Sequence, residues 1–354
     1  MTEPSTEPST ERRGMLLRWG LPRDPAAPSH LAGFVVAAVV TVLLTRAFLA
    51  AAGYPQIGGG GLHVAHVLWG GLLMALAFVL LLSFAGPVVR PAGALVGGVG
   101  FGLFVDEMGK FVTADNNYFY EPTASLIYVV IVALVLVAEV VHGRRAHDPG
   151  EHLAGAADYA VAGITGGFTP RARAQAYALL DQAGSVAGAA QVRALLDVVD
   201  DDAAELPNPV AAVGAGVVRV MRRLVTARGV PWVTVGVLLA TLGATVSIGL
   251  AAWRAGADVP GWIVVGLLVS ALVATTLAVA GLVAVRRHRE RGYLRFRWAV
   301  LVSLLVTQVF VYRIEQWSAT TGVLAELVVL GLIAAELQQM SGGAPRRGSD
   351  RPAR

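Results

Sequence analysis

Eight apolar runs, each close to the length needed to cross a bilayer, constrain this chain more than any other feature. A segment in hydrocarbon must satisfy its own backbone, which restricts spanning structures to helices and closed barrels. About 20 apolar residues rising 1.5 Å each cross the roughly 30 Å hydrocarbon core. The runs are Leu31–Ala52, Leu62–Ala85, Ala92–Thr113, Thr123–Val141, Pro231–Ala252, Pro260–Val285, Trp298–Tyr312 and Thr321–Leu337. A mean hydropathy of +0.63 agrees with them. The expected fold is all-α: a polytopic membrane helical bundle of about eight transmembrane helices with a small helical cytoplasmic insertion.

The domain boundaries follow from the same runs. Residues 1–30, opening with a repeated Thr-Glu-Pro-Ser, read as a disordered cytoplasmic tail. Residues 31–142 hold helices one to four, 143–229 a cytoplasmic helical domain, 230–340 helices five to eight and 341–354 a second cytoplasmic tail. No cleavable signal peptide is evident, so the first span is expected to serve as the targeting anchor.

Arginine distribution sets the expected orientation. With the amino terminus inside, every arginine except Arg46, Arg254 and Arg313 falls on the cytoplasmic side, and the inverse orientation violates the positive-inside rule throughout. The expectation is a multi-pass plasma-membrane protein with both termini cytoplasmic. A pI near 9.7 does not imply nucleic acid, because the basic residues lie in loops between spans rather than on one soluble face. The absence of cysteine excludes disulfides and thiolate metal sites. An Ala/Gly/Val/Arg-rich composition suggests a GC-rich bacterial coding bias.

Within the segment 143–229, apolar and charged residues alternate at helical spacing, and Thr169 before Pro170 reads as an N-cap with proline at the first helical position. Three or four short helices are expected, the last near Val210–Ala227, with Arg219, Arg222 and Arg223 suited either to an anionic leaflet or to ordinary packing. This domain is a candidate surface for a cytoplasmic protein partner.

The single lysine, Lys110, sits in an apolar stretch just after Asp106 and Glu107. Charges at membrane depth cost about 2.5 to 3.5 kcal/mol each on insertion scales and mark functional sites by default. Counted from Ala92, Asp106 and Glu107 lie roughly 21 to 23 Å up the third span, in the outer half. Arg46, Arg313, Glu326, His63 and His66 arrive in the same outer layer from other spans. Gly98, Gly102, Asp106 and Gly109 form one small-residue stripe, so Asp106 is expected at a close helix contact, with Glu107 about 100° away.

These residues carry the functional expectation. Glu107, with Asp106 and Lys110, is the candidate acid–base group, and Arg46, Asp115, Asn116, Arg313 and Glu326 are the candidate ligand-binding residues. His63 and His66, with a carboxylate, supply donors suited to a divalent metal such as zinc. The plainer readings are an ion-pair network that fixes packing, and two histidines that bond loop carbonyls at a helix end. Gly97–Gly102 does not bind a nucleotide, since no strand precedes it, and no Gly-x-Ser-x-Gly motif is present.

Three functions fit. One is an enzyme acting on a lipid or cell-envelope substrate from the outer side, by metal-assisted or acid–base chemistry. Another is a proton- or ion-coupled transporter of a small polar solute. The third is a membrane scaffold or sensor whose charges form a structural network.

Overall fold

The computed structural model describes residues 19–52, 66–108, 122–142, 146–201, 203–204, 230–255, 259–285 and 287–342, with isolated positions elsewhere. Among these residues the fold is helical without strands, and eight helices are long and apolar enough to cross a membrane. The spans run Ala27–Leu49, His66–Ser83, Val89–Asp106, Thr123–His142, Val235–Ala255, Gly261–Val285, Arg289–Ile314 and Gln316–Leu337. Large apolar side chains stay exposed along them, among them Leu82, Val140, Phe78 and Leu272. In a bilayer that surface faces acyl chains, so its exposure carries no hydrophobic cost.

Three differences from the expected boundaries bear on the polar residues. The third span ends at Asp106, with Glu107 as its C-cap, instead of continuing to Thr113. Asp106 and Glu107 therefore sit at a helix end. The seventh span begins at Arg289 rather than Trp298, because its polar first turns continue the helix below the apolar run. The eighth begins at Gln316 rather than Thr321, which moves Glu326 to roughly 15 Å from its start, near mid-span and out of the expected outer layer.

The chain divides into two compact units, 1–107 with 133–210, and 108–132 with 211–354. In the first, glycines bring three spans to backbone contact. A Cβ on Gly98 would lie 2.4 Å from the Phe34 carbonyl oxygen, and one on Gly102 would lie 2.6 Å from that of Ala38. On the other side of the third span, a Cβ on Gly100 would lie 2.7 Å from the Gly70 carbonyl oxygen, and one on Gly93 would meet Leu81. One helix thus carries two small-residue faces, one for each neighbour.

Three insertion helices, Pro149–Gly166, Pro170–Ala183 and Ala189–Val198, pack around Ala156, Ala160, Phe168, Leu180 and Leu196. Thr169 caps the second, accepting a hydrogen bond from Ala172 N–H with Pro170 at the first helical position, as its sequence implies. Most of the expected last helix, Val210–Ala227, lies outside the described residues. The first insertion helix opens on a capping box, in which Asp148 accepts from the helix and Glu151 accepts from the Asp148 N–H.

Glu151 also pins the insertion to the chain before the first span. It receives Arg23 through the side chain at 2.8 and 3.0 Å and through the backbone N–H at 2.9 Å. Arg90 extends the contact, pairing with Asp24 and Asp158 at 2.7 Å each. Burial by itself pushes the Glu151 carboxyl up, but the hydrogen bonds from Arg23 and Asp148 outweigh it and hold the group down at about 2. A carboxyl depressed on folding stabilises fully above the ordinary range near 4.5, and that stabilisation is lost as pH falls toward about 2. Between these limits the thermal stability of the wild type should fall toward that of Glu151→Gln, and a pH-independent gap in melting temperature would contradict this reading.

In the second unit, spans five to eight enclose Leu238, Leu242, Ala274, Tyr293, Phe296 and Ile333. The seventh span is not a continuous α-helix. Ser303–Thr307 forms a π-helical segment closed by a hydrogen bond from Gln308 N–H to the Ser303 carbonyl. The first half of the fourth span meets this irregular backbone, with the Tyr128 hydroxyl donating to the Leu304 carbonyl and the Ser125 hydroxyl donating to that of Val309.

Candidate functional site

At the end of the first unit's spans, four ionisable side chains come together. Asp106 is the last residue of the third span and follows Gly98 and Gly102 at helical spacing, so the glycine contacts that join spans one and three aim it at the first span. Arg46 meets it there, Nε to Oδ1 at 2.7 Å. From the second span, His66 Nε2 lies 3.2 Å from Asp106 Oδ2.

Glu107 receives the Val67 N–H at 2.7 Å, capping the amino-terminal end of the second span. Its other oxygen lies 3.6 Å from His66 Nδ1. The imidazole thus stands between two carboxylates, one at each ring nitrogen. Both carboxylates are 0% exposed, whereas the side chains of Arg46 and His66 keep 21% and 24% of their surface.

His63, Lys110, Asp115 and Asn116 lie outside the described residues. Among the described residues no three histidine or carboxylate side chains are arranged to hold a metal ion. Arg313 is in the last turn of the seventh span and belongs, with Glu326, to the second unit.

Glu326 has a setting of its own. It is fully buried, accepting from Ser303 Oγ at 2.6 Å and Gln308 Nε2 at 3.1 Å. Ser303 and Gln308 were not singled out by the sequence reading. A signal existed: Ser303, Thr307 and Gln308 are polar residues inside an otherwise apolar run. Their five-residue spacing, however, puts Ser303 and Gln308 about 140° apart on an α-helix, and only the π turn brings both to one carboxylate.

Comparison with known proteins finds no matching family model, no similar curated protein and no similar solved structure.

Proposed function

We propose that this multi-pass protein resides in the plasma membrane with both termini cytoplasmic, and that its outward-facing polar site binds a proton reversibly and couples it to the movement of a small polar solute. The observation that carries this reading is the His66 imidazole between two wholly buried carboxylates. Chains of Asp, Glu and His within spans are the usual proton-carrying devices of pumps and transporters. A proton needs no open pocket to reach carboxylates that lie behind His66.

The test uses purified protein in liposomes loaded with a pH-sensitive dye. A panel of amino acids, organic acids, polyamines and sugar phosphates is added outside, and the internal pH is followed. At least one solute should drive proton movement in the wild type, and Glu107→Gln should slow it roughly 100-fold. Glutamine keeps an oxygen for the Val67 N–H, so the helix cap survives while the titratable group is removed. If no solute moves protons through the wild type, transport is the wrong function.

A second reading draws on the exposed edges of His66 and Arg46. An acid–base residue must touch its substrate, and these two side chains retain accessible surface, with Asp106 behind His66 to orient the ring. That arrangement suits proton transfer to an anionic lipid or cell-envelope precursor held by Arg46. Turnover of added phospholipid or lipid-linked precursor, followed by mass spectrometry and lost in His66→Ala, would favour it over transport.

A further inference from the structure

We propose that Glu326, Gln308 and Ser303 form a mid-span binding site for a monovalent metal cation. The site lies wholly within the second unit and shares no residue with the Arg46–Asp106–His66–Glu107 group, so either reading can fail alone.

The first argument is charge. The Glu326 carboxylate is 0% exposed near the middle of its span, and both of its hydrogen-bond donors, the Ser303 hydroxyl and the Gln308 amide, are neutral. Hydrogen bonds from neutral donors do not offset the cost of an ionised carboxylate in a low-dielectric interior. A charge of +1 does. A divalent ion would leave an excess positive charge in the same place, so one carboxylate matches a monovalent ion.

The second argument is the supply of oxygen. Glu326 Oε2 and Gln308 Oε1 are both buried without a hydrogen-bond partner among the described residues, and so is Thr307 Oγ1 on the same π turn. Buried polar atoms are nearly always satisfied, so several on neighbouring groups indicate something that takes oxygen ligands. A proton on Glu326 uses one of them. A hard cation uses several, and carboxylate, amide and hydroxyl oxygens are the ligands such ions take.

The third argument is that the backbone is arranged for this cluster. The π segment swings Ser303 and Gln308 onto one face, and π turns inside α-helices occur frequently at functional sites. The Leu304 carbonyl within the π segment accepts from the Tyr128 hydroxyl, and that of Val309 just beyond it accepts from the Ser125 hydroxyl, both on the fourth span. Gly322, one turn before Glu326, makes room: a Cβ there would lie 3.1 Å from Gln308 Nε2. Irregular backbone at membrane depth is tolerated where it is buried in protein or lines a cavity, and discontinuous spans near the bilayer midplane are where transporters hold coupling ions.

The experiment is thermal unfolding of the purified full-length protein in detergent, in sodium, potassium or choline chloride at equal ionic strength. A ligand that binds only the folded state raises stability with the logarithm of its concentration. Sodium or potassium should therefore raise the melting temperature saturably, by roughly 5 °C, while choline does not. The preferred ion identifies the natural ligand. Glu326→Gln should lose the shift. Gln308→Met, which keeps the carboxylate, should raise the half-saturating concentration about tenfold and decides the matter if Glu326→Gln does not fold. Identical melting of the wild type in all three salts would overturn the proposal, as would a sodium or potassium effect that Gln308→Met leaves unchanged. Stabilisation by acid alone would show that Glu326 takes a proton instead.

Discussion

Gly98→Leu is expected to abolish recovery of folded protein, whereas Gly71→Leu is expected to leave it nearly unchanged. The two glycines lie in adjacent spans of the same unit, but their surroundings differ. A Cβ on Gly98 would sit 2.4 Å from the carbonyl oxygen of Phe34 and 2.8 Å from Ala37 Cβ, while one on Gly71 meets nothing within 4 Å. Backbone cannot step aside as a flexible side chain does, so the substitution must separate the first and third spans along their length. Overpacking typically costs about 1 to 3 kcal/mol, and a clash with backbone lies at or beyond the top of that range. Fluorescence-detected size-exclusion chromatography of fusion-tagged protein reads the result directly. A monodisperse Gly98→Leu peak matching the wild type would mean that spans one and three are not packed through this stripe. The consequence reaches the site, because the same contact delivers Asp106 to Arg46.

Arg46→Ala is expected to destabilise the protein by about 3 kcal/mol, since it removes the cation that meets a carboxylate with 0% exposure. Asp106→Ala should cost less, because the Arg46 side chain it leaves behind is 21% exposed and can turn toward the interface. The informative variant combines Asp106→Leu with Arg46→Met. Replacing both charges by apolar groups of similar size is often neutral or stabilising, so thermal unfolding of the double variant should recover most of the loss. Applied to the liposome assay, the same variant separates structure from function. A purely structural ion pair predicts restored stability together with unchanged proton movement. The proposed proton site predicts restored stability and no proton movement.

Much of the site was legible from residue spacing in the third span. Gly98, Gly102 and Asp106 recur every four residues, which states both that a helix can approach and that the carboxylate faces it. Arg46 was recognisable as an arginine inside an apolar run, and its pairing with Asp106 at 2.7 Å follows from both spans running in the same direction. What spacing did not reveal is that the third span stops at Asp106. Because it stops there, Glu107 becomes a cap on the second span, and the role of that carboxylate depends on a backbone N–H that belongs to another helix. The Arg23–Glu151 anchor was missed for a similar reason: two residues 128 positions apart share no local pattern, although the Asp-Pro-Gly-Glu box that prepares Glu151 is written plainly at 148–151.

The sequence by itself determined that this chain is a helical membrane protein with eight spanning segments, because bilayer thickness and backbone satisfaction leave an apolar run of 20 residues little choice of structure. It determined the close approach of one neighbouring span to the third as well, because glycine at every fourth position has one packing use in a lipid-embedded helix. Only the tertiary structure decided which polar groups meet. Glu326 was placed in the outer layer when its helix was counted from Thr321, and the start at Gln316 carried it to mid-span. Ser303 and Gln308 point apart on the α-helix that their apolar surroundings imply, and one residue accommodated in a π turn brings both to the same carboxylate. Period and length are properties of a single segment and are readable along the chain. Helix ends and register shifts are settled by contacts with other segments, and the polar chemistry of this protein depends on them.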